Sequence, residues 1–204
     1  QDSRCRSQTP AGAAVAGAIA IGCEIVESGG AVMSGPPRIH IVGKKNAGKT
    51  TLVCELIELL TKRGLQIGSI KHTHHHHELD VPGKDSWRHR VAGAAAVGIL
   101  SPGMAALFLP QDRELAGQQR YQLFDAPAFR DCDLLLVEGD LQTEAPRVEV
   151  WRVAVGDQPW AAADPGILAV VTDDRPAGIA CPIWSRSDLP ALADRLLSVV
   201  GLGS

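Results

Sequence analysis

The 204-residue sequence has no apolar segment approaching the ~20 residues that a membrane-spanning helix needs. Its most apolar stretch, residues 11–22, is rich in alanine and glycine and only faintly resembles a signal peptide. It also has no excess of basic residues, because 20 Lys and Arg face 23 Asp and Glu, for a formal net charge of −3. We therefore predict a protein with no membrane segment and no nucleic-acid partner.

Paired cysteines are absent as well. The five cysteines are scattered and form no C-x-x-C pair, so we predict buried, reduced thiols, including Cys54 and Cys132. An apolar content of 45% and a charged content of 21% are ordinary for a globular protein, and the length suits one domain with a sizeable core. We expect residues 1–36 to be a disordered N-terminal extension, with Met33 as a plausible start, and residues 37–204 to form the domain.

The segment Gly43–Thr50 fits the phosphate-binding pattern G-x-x-x-x-G-K-[ST]. A short buried strand is predicted before it at 38–42, and an amphipathic helix after it at 50–63. A strand, a glycine loop and a helix N-terminus in that order bind anions, because the loop N–H groups and the helix dipole face the same point. Lys49 would then reach the β- and γ-phosphates of a nucleotide, and the Thr50 hydroxyl would bind Mg²⁺.

The chain around this loop predicts an α/β fold. Gly64 ends the helix and a second strand follows at 65–71, which makes a βαβ unit with a parallel sheet. The apolar segment Cys132–Gly139 carries an acidic residue at its end, a pattern that places a carboxylate beside the P-loop. Glu138 is therefore the candidate Mg²⁺ residue, and Asp133 is a weaker one.

A polar segment at 71–90 follows the second strand, where loops commonly carry sites. A helix is predicted to begin there and to run through Ala94 and Ala95, with Asp85 or Ser86 as its N-cap. Asp85 is either only that cap or a contact on the Mg²⁺ or γ-phosphate side of the nucleotide. Arg88 and Arg90 either reach phosphate or are simply solvated.

The same segment contains His72 and His74–His77. Imidazoles suit Zn²⁺ and Ni²⁺, but adjacent histidines in one short loop cannot all turn to one ion, and no cysteine pair accompanies them. Adventitious metal binding is the simpler interpretation.

The C-terminal half predicts more sheet. Residues 96–101 and 104–109 should form an antiparallel hairpin, a weaker helix lies near 115–124, and strands follow at 147–155, 167–172 and 183–184. Asp173 and Asp174 end one of these strands, and an acidic residue there either reads a base edge or caps a turn. Asp188 should cap a closing helix that ends before Gly201. We therefore predict a three-layer P-loop NTPase fold, a mostly parallel sheet flanked by helices with an antiparallel hairpin.

Three segments together resemble the molybdopterin-guanine dinucleotide biosynthesis protein B (MobB) family. They are the P-loop, the segment from Ile70 through the histidines to Ala94, and Leu135–Gly139, within a resemblance that covers about residues 38–200. The resemblance implies a cytoplasmic, often dimeric GTP-binding protein with weak GTPase activity. It also implies a guanylyltransferase partner of the MobA type, which attaches GMP to molybdopterin, and GTP with Mg²⁺ as cofactors.

The resemblance also implies site residues. Lys49 and Asp85 would be catalytic, and Thr50 and Glu138 would face the metal. The nucleotide-binding residues would be Gly43, Lys45, Asn46, Ala47, Gly48, Lys49, Thr50, Thr51, Lys84 and Ser86. A lysine next to the first glycine of the loop can act across the subunit interface in dimeric P-loop GTPases. Three alternatives follow for this chain: Lys44 has that role, Lys45 has it in place of Lys44, or both side chains are solvated. No Asn-Lys-x-Asp element is present, so a guanine preference rests on the resemblance alone.

Two other function classes fit the residues. The histidines suggest a metal-delivery GTPase for a nickel or zinc enzyme. A P-loop beside a polar loop also suits a small-molecule kinase, although no acceptor pocket is readable from the sequence.

Overall fold

The structure is a computed structural model that describes residues 35–73, 79–110, 127–156 and 158–203. The strands are β1 (Arg38–Val42), β2 (Ile67–Lys71), β3 (Val97–Ser101), β4 (Met104–Phe108), β5 (Leu134–Glu138), β6 (Arg147–Val150), β7 (Ile167–Val171) and β8 (Ile183–Trp184). The α-helices are α1 (Lys49–Lys62), α2 (Asp85–Val91), α3 (Pro127–Arg130) and α4 (Leu189–Val199), with short 3-10 turns at Val153–Val155 and Trp160–Ala162. No helix among the described residues has the length and apolar character to cross a membrane.

Six of the strands form one parallel sheet in the order β2-β5-β1-β6-β7-β8. β1 therefore lies between β5 and β6, and the carboxyl ends of all these strands meet at one edge of the sheet. Strands β3 and β4 form a separate antiparallel pair. This arrangement confirms the predicted α/β fold and the predicted hairpin.

The core lies on both faces of the sheet. On one face, α1 and α4 pack their apolar sides, including Leu56, Leu60 and Leu196, on the buried strands. On the other face, a smaller cluster of Ile70, Leu135 and Val137 packs against partly buried side chains of and near α3. The near-continuous apolar runs of β5 and β7 follow from this, since a parallel sheet is covered on both faces.

Three helices end in the same way. After α1, α2 and α4, a glycine with positive φ (Gly64, Gly93 and Gly201) is followed by an N–H that donates to a carbonyl five residues earlier. This is the Schellman motif, which satisfies the last carbonyls of a helix and favours glycine because of the left-handed backbone. The predicted stops at Gly64 and Gly201 are confirmed. The prediction that α2 runs to Ala95 is wrong, because Gly93 ends it.

Two further sequence expectations need correction. The strand predicted over 147–155 stops at Val150, because the N–H of Val153 turns toward the Asp174 carboxylate, 2.7 Å away. Cys54 is exposed rather than buried, since it lies off the apolar face of α1. The weak helix predicted at 115–124, the extension at 1–34 and most of the histidine tract lie outside the described residues.

Candidate functional site

The loop between β1 and α1 has the backbone that its glycines allow. Gly43 has φ 141°, and a Cβ atom there would overlap the carbonyl oxygen of Val150 on the neighbouring strand. Asn46 (φ 64°) and Gly48 (φ 100°) also adopt left-handed conformations. Glycine is required at Gly43 for both reasons, and the loop consequently lies directly against the end of β6.

Lys49 begins α1 and turns back over this loop. Its Nζ donates to the carbonyl oxygens of Gly43 (2.7 Å) and Lys44 (2.8 Å). Burial lowers the pKa of Lys49, and the nearby Glu138 carboxylate opposes that shift. The ammonium group is thus held at the mouth of the loop, where a phosphate would stabilise its charge.

Thr50 and Glu138, the two predicted metal residues, lie in contact. The Thr50 hydroxyl is 2.9 and 3.0 Å from the two carboxylate oxygens of Glu138. β5 pairs with β1 so that Glu138 faces Ile41, one residue before the end of β1, and the Glu138 carbonyl accepts from His72 N–H at 2.9 Å. A hydroxyl and a carboxylate are hard oxygen ligands, so this pair fits Mg²⁺.

The segment at the start of α2 is arranged differently from the prediction. Lys84 occupies the N-cap position, so the assignment of the cap to Asp85 or Ser86 is wrong. The Ser86 hydroxyl instead donates to the buried Asp80 carboxylate at 2.8 Å. The Asp85 side chain is 91% exposed, with Arg88 at 3.8 Å as its ion-pair partner.

Within the described part of the chain, no polar contact joins Lys84, Asp85 or Ser86 to the P-loop. The arginines of α2 are engaged locally too, because Arg90 lies 3.8 Å from Asp80. The structure therefore brings together the P-loop, Lys49, Thr50 and Glu138, and it leaves the α2 segment outside that cluster.

Sequence reasoning missed Arg152, whose guanidinium donates to the carbonyl oxygen of Asn46 at the tip of the P-loop. Its position just after an apolar strand was the available signal, because side chains there reach the carboxyl edge of the sheet. Arg152 also borders a cavity of about 330 Å³ next to the loop. Ala47, Gly48 and Thr51 line one side of this cavity, and the residues after β6, β7 and β8 line the other.

Another polar residue close to the site is His40, which is fully buried in β1. Its Nδ1 lies 3.1 Å from the carbonyl oxygen of Gly139, so that nitrogen carries the proton. Burial lowers the pKa of His40 to about 4, although the hydrogen bond to Gly139 opposes the shift. The neutral imidazole thereby ties β1 to the turn that follows Glu138.

Comparison with known proteins gives a family. The family model described as molybdopterin guanine dinucleotide synthesis protein B, MobB, matches residues 38–173, more than half of the chain. The chain belongs to the MobB family.

Individual relatives agree with this membership. A molybdopterin-guanine dinucleotide biosynthesis adapter protein of Escherichia coli strain K12 is 34% identical over 160 residues, which cover 78% of this chain and 90% of the relative. One from Haemophilus influenzae Rd is 32% identical over 158 residues, covering 78% and 86%. A crystal structure of a molybdopterin-guanine biosynthesis protein B superposes with a TM-score of 0.59 at 26% identity, covering 80% of this chain and 99% of that one.

Membership of the MobB family favours a role in molybdenum cofactor synthesis over the metal-delivery GTPase and the small-molecule kinase. The described residues contain no group of three or more His, Cys, Asp or Glu side chains that could hold a metal ion. His74–His77 lie outside the described residues, so the metal interpretation of the tract stays a prediction.

Proposed function

We propose that this chain binds GTP with Mg²⁺ at the P-loop, hydrolyses it slowly, and serves as an adapter for the enzyme that transfers GMP to molybdopterin. The observation that carries the proposal is the contact between Thr50 and Glu138 beside the Lys49 ammonium group. The MobB family membership supplies the pathway, since its relatives are named as adapters of molybdopterin-guanine dinucleotide biosynthesis.

The proposed site binds the triphosphate by charge and by backbone donors. The N–H groups of Gly48, Lys49 and Thr50 open α1 and have no carbonyl partner one turn earlier, so they suit phosphate oxygens. The Lys49 ammonium group would move from the carbonyls of Gly43 and Lys44 onto the phosphates. Mg²⁺, held by Thr50 and Glu138, would neutralise part of the phosphate charge.

In the hydrolysis, a water oxygen bonds to the γ-phosphorus, the bond from that phosphorus to the β–γ bridging oxygen breaks, and GDP and inorganic phosphate leave. Lys49 and the loop N–H groups would stabilise the charge on the transferred group. Within the described residues, the arginines of α2 pair with acidic groups of their own segment and Arg152 is bonded to Asn46.

A charge deletion tests the phosphate site. Lys49→Ala should weaken GTP binding by at least about tenfold, because charge-assisted hydrogen bonds to the triphosphate are lost. Lys62→Ala is the matched control, since Lys62 is exposed and pairs with Glu58 on the far part of α1. Titration calorimetry with GTP and Mg²⁺ measures both variants. Wild-type affinity in Lys49→Ala would contradict the site.

A charge-neutral replacement tests the metal residue. Glu138→Gln keeps the size of the side chain but removes the carboxylate charge, so GTP binding should need a higher Mg²⁺ concentration. Glu58→Gln, on the exposed side of α1, is the control. If the Mg²⁺ dependence of GTP binding is the same in wild type, Glu138→Gln and Glu58→Gln, Glu138 is not the metal residue.

We also propose that the start of α2 approaches the nucleotide when GTP is bound. Lys84, Asp85 and Ser86 are proposed to line the γ-phosphate side once GTP is present, with Asp85 in a catalytic role. Asp85→Asn should then lower the hydrolysis rate while GTP affinity stays near wild type. An unchanged rate would leave Asp85 as a surface residue of α2.

Membership of the MobB family indicates that the chain acts with enzymes of molybdopterin-guanine dinucleotide synthesis. We propose that its partner is a molybdopterin guanylyltransferase, which associates with the GTP-bound form. Co-purification of the two proteins with GTP, with GDP and with Lys49→Ala tests it. Equal recovery under all three conditions would exclude a nucleotide-dependent association.

A homodimer is proposed as well, supported by the exposed hairpin. In the β3–β4 register, Val97 is buried at 4% exposure, whereas Leu100 (88% exposed) and Leu107 (64% exposed) belong to the opposite face. A two-stranded sheet is marginal by itself, and an exposed apolar face of this kind commonly marks an interface, here with a second copy.

Light scattering tests the dimer. The double variant Leu100→Glu, Leu107→Glu should be monomeric, while Leu79→Glu, outside the hairpin, should keep the wild-type mass. A wild-type mass of one chain would refute the proposal.

Residues 37–204 are proposed to form the nucleotide-binding domain, so a chain beginning at residue 37 should bind GTP as tightly as the full chain.

A further inference from the structure

The cavity beside the P-loop has a polar end that the phosphate site does not use. It is bordered by the start of α1 and by the residues that follow β7 and β8, all at the carboxyl edge of the sheet. Its volume of about 330 Å³ lies at the lower end of the ~300–1,000 Å³ typical of small-molecule sites. Because it adjoins Gly48 and Thr51, any nucleotide held by the loop has this cavity within reach.

Asp173, two residues after the end of β7, stands at this polar end. Its Oδ1 accepts from the Ser185 hydroxyl (2.8 Å), the Arg186 N–H (2.8 Å) and the Ser187 N–H (3.1 Å), with the Ser187 hydroxyl at 3.2 Å. These bonds, led by the one from Ser185, lower the pKa of Asp173. The carboxylate is therefore ionised at neutral pH and fixed by one of its oxygens.

The other oxygen, Oδ2 of Asp173, makes no hydrogen bond to any residue that the structure describes. Asp174 differs, because its Oδ2 accepts from Val153 N–H at 2.7 Å and its own N–H is bonded to Thr172 at 3.0 Å. Asp174 thus caps a turn, whereas Asp173 keeps an acceptor available at the cavity.

The segment that fixes Asp173 is itself attached to the phosphate-binding helix. Arg186 lies 2.6 Å from Glu55 of α1 in an ion pair, and it lines the same cavity. The Asp173 carboxylate is therefore held at a defined distance from the helix that begins at the P-loop. Such a connection makes the acceptor a preorganised group rather than a mobile surface charge.

Resting on the proposed nucleotide binding, we propose that this cavity takes the base and that Asp173 selects guanine. An ionised carboxylate only accepts hydrogen bonds. Guanine presents two neighbouring donors, N1–H and the 2-amino group, whereas adenine presents an acceptor at N1. Asp173 Oδ2 accepts from the guanine donors and repels the adenine acceptor. Arg152 and Arg186 add guanidinium groups, which stack on bases of either kind.

The first test needs no mutation. Wild-type protein is titrated by calorimetry with GTP, inosine triphosphate and ATP at fixed Mg²⁺. Inosine triphosphate lacks the 2-amino group, so it should bind about tenfold more weakly than GTP, and ATP more weakly still. Equal affinity for GTP and ATP would overturn the base-reading proposal and leave the phosphate site standing. Failure to bind any of the three triphosphates would overturn both.

The second test exchanges donors and acceptors. Xanthine carries a carbonyl in place of the 2-amino group, and the Asn carboxamide supplies one donor and one acceptor. Asp173→Asn should lose about tenfold in GTP affinity and gain in xanthosine triphosphate affinity, so that the preference between the two is reversed. Asp174→Asn is the control, since its amide oxygen still accepts from Val153, and it should keep the wild-type preference.

The reversal distinguishes base reading from a structural role of Asp173. A merely weakened turn would reduce binding of both triphosphates together and keep their ratio. An unchanged ratio in Asp173→Asn, with intact folding by circular dichroism, would overturn the proposal. The same outcome would leave Lys49 and the phosphate site unaffected.

Discussion

The buried imidazole of His40 should make this protein lose stability when the pH falls from about 7 toward 4. His40 is fully buried, and burial lowers its pKa from 6.5 to about 4; the hydrogen bond to Gly139 and the charge of Asp140 oppose this shift, and the charge of Arg38 adds to it. The fold therefore favours the neutral imidazole. The unfolded chain binds a proton near pH 6.5 and the native chain does not, so the stability is complete above 6.5 and is lost between about 6.5 and 4.

The size of the effect follows from the shift. One pKa unit corresponds to ~1.36 kcal/mol, so the shift from 6.5 to about 4 is worth about 3 kcal/mol in full. At pH 5 about 2 kcal/mol of this stabilisation is already lost. That is a large part of the free energy of unfolding of a typical protein, which is ~5–15 kcal/mol.

Urea unfolding followed by tryptophan fluorescence at pH 7.5 and pH 5.0 measures the loss. His40→Asn keeps a donor for the Gly139 carbonyl but does not titrate, so its loss between the two pH values should be smaller than that of wild type by about 2 kcal/mol. Glu149, whose pKa is raised by burial, has the opposite pH dependence, but it is present in both variants and cancels in the difference. His89→Gln, at an exposed position, is the control. Equal losses in wild type and His40→Asn would refute the reasoning.

Two further substitutions have expected outcomes. Gly43→Ala should both destabilise the protein and weaken GTP binding. The reason is that Gly43 has a positive φ and a Cβ atom there would overlap the Val150 carbonyl. Urea unfolding and calorimetry measure the two effects, and wild-type values in both would show that the loop relaxes freely. Asp188→Ala should cost about 1 kcal/mol of unfolding free energy, since the Asp188 carboxylate accepts from Ala191 N–H at the start of α4. Asp188→Asn keeps a capping oxygen and serves as the comparison. If both variants have the same urea midpoint, the cap contributes nothing.

Much of the candidate site follows from local patterns and one topological rule. The P-loop pattern predicts the backbone of Gly43–Thr50, and the apolar run before Glu138 predicts a strand that ends at the same edge of the sheet. Their meeting, seen as the Thr50–Glu138 contact, needs only that parallel strands present their carboxyl ends together. The predicted α2 cap is wrong because the helix begins one residue after Lys84 and the Ser86 hydroxyl bonds to Asp80, in the loop before the helix, and not to its own helix.

The sequence by itself determined the phosphate loop, the parallel α/β class, the C-terminal end of α1 and both ends of α4, because each depends on spacing or on glycine and aspartate at particular positions. Only the tertiary structure decided the other contacts between distant polar groups. Asp173 bonds the segment after β8, and Arg152 reaches Asn46, because the strand order sets β7 beside β8 and β6 beside β1. That order depends on the free energy of packing whole strands and helices together, which no local period of the chain encodes.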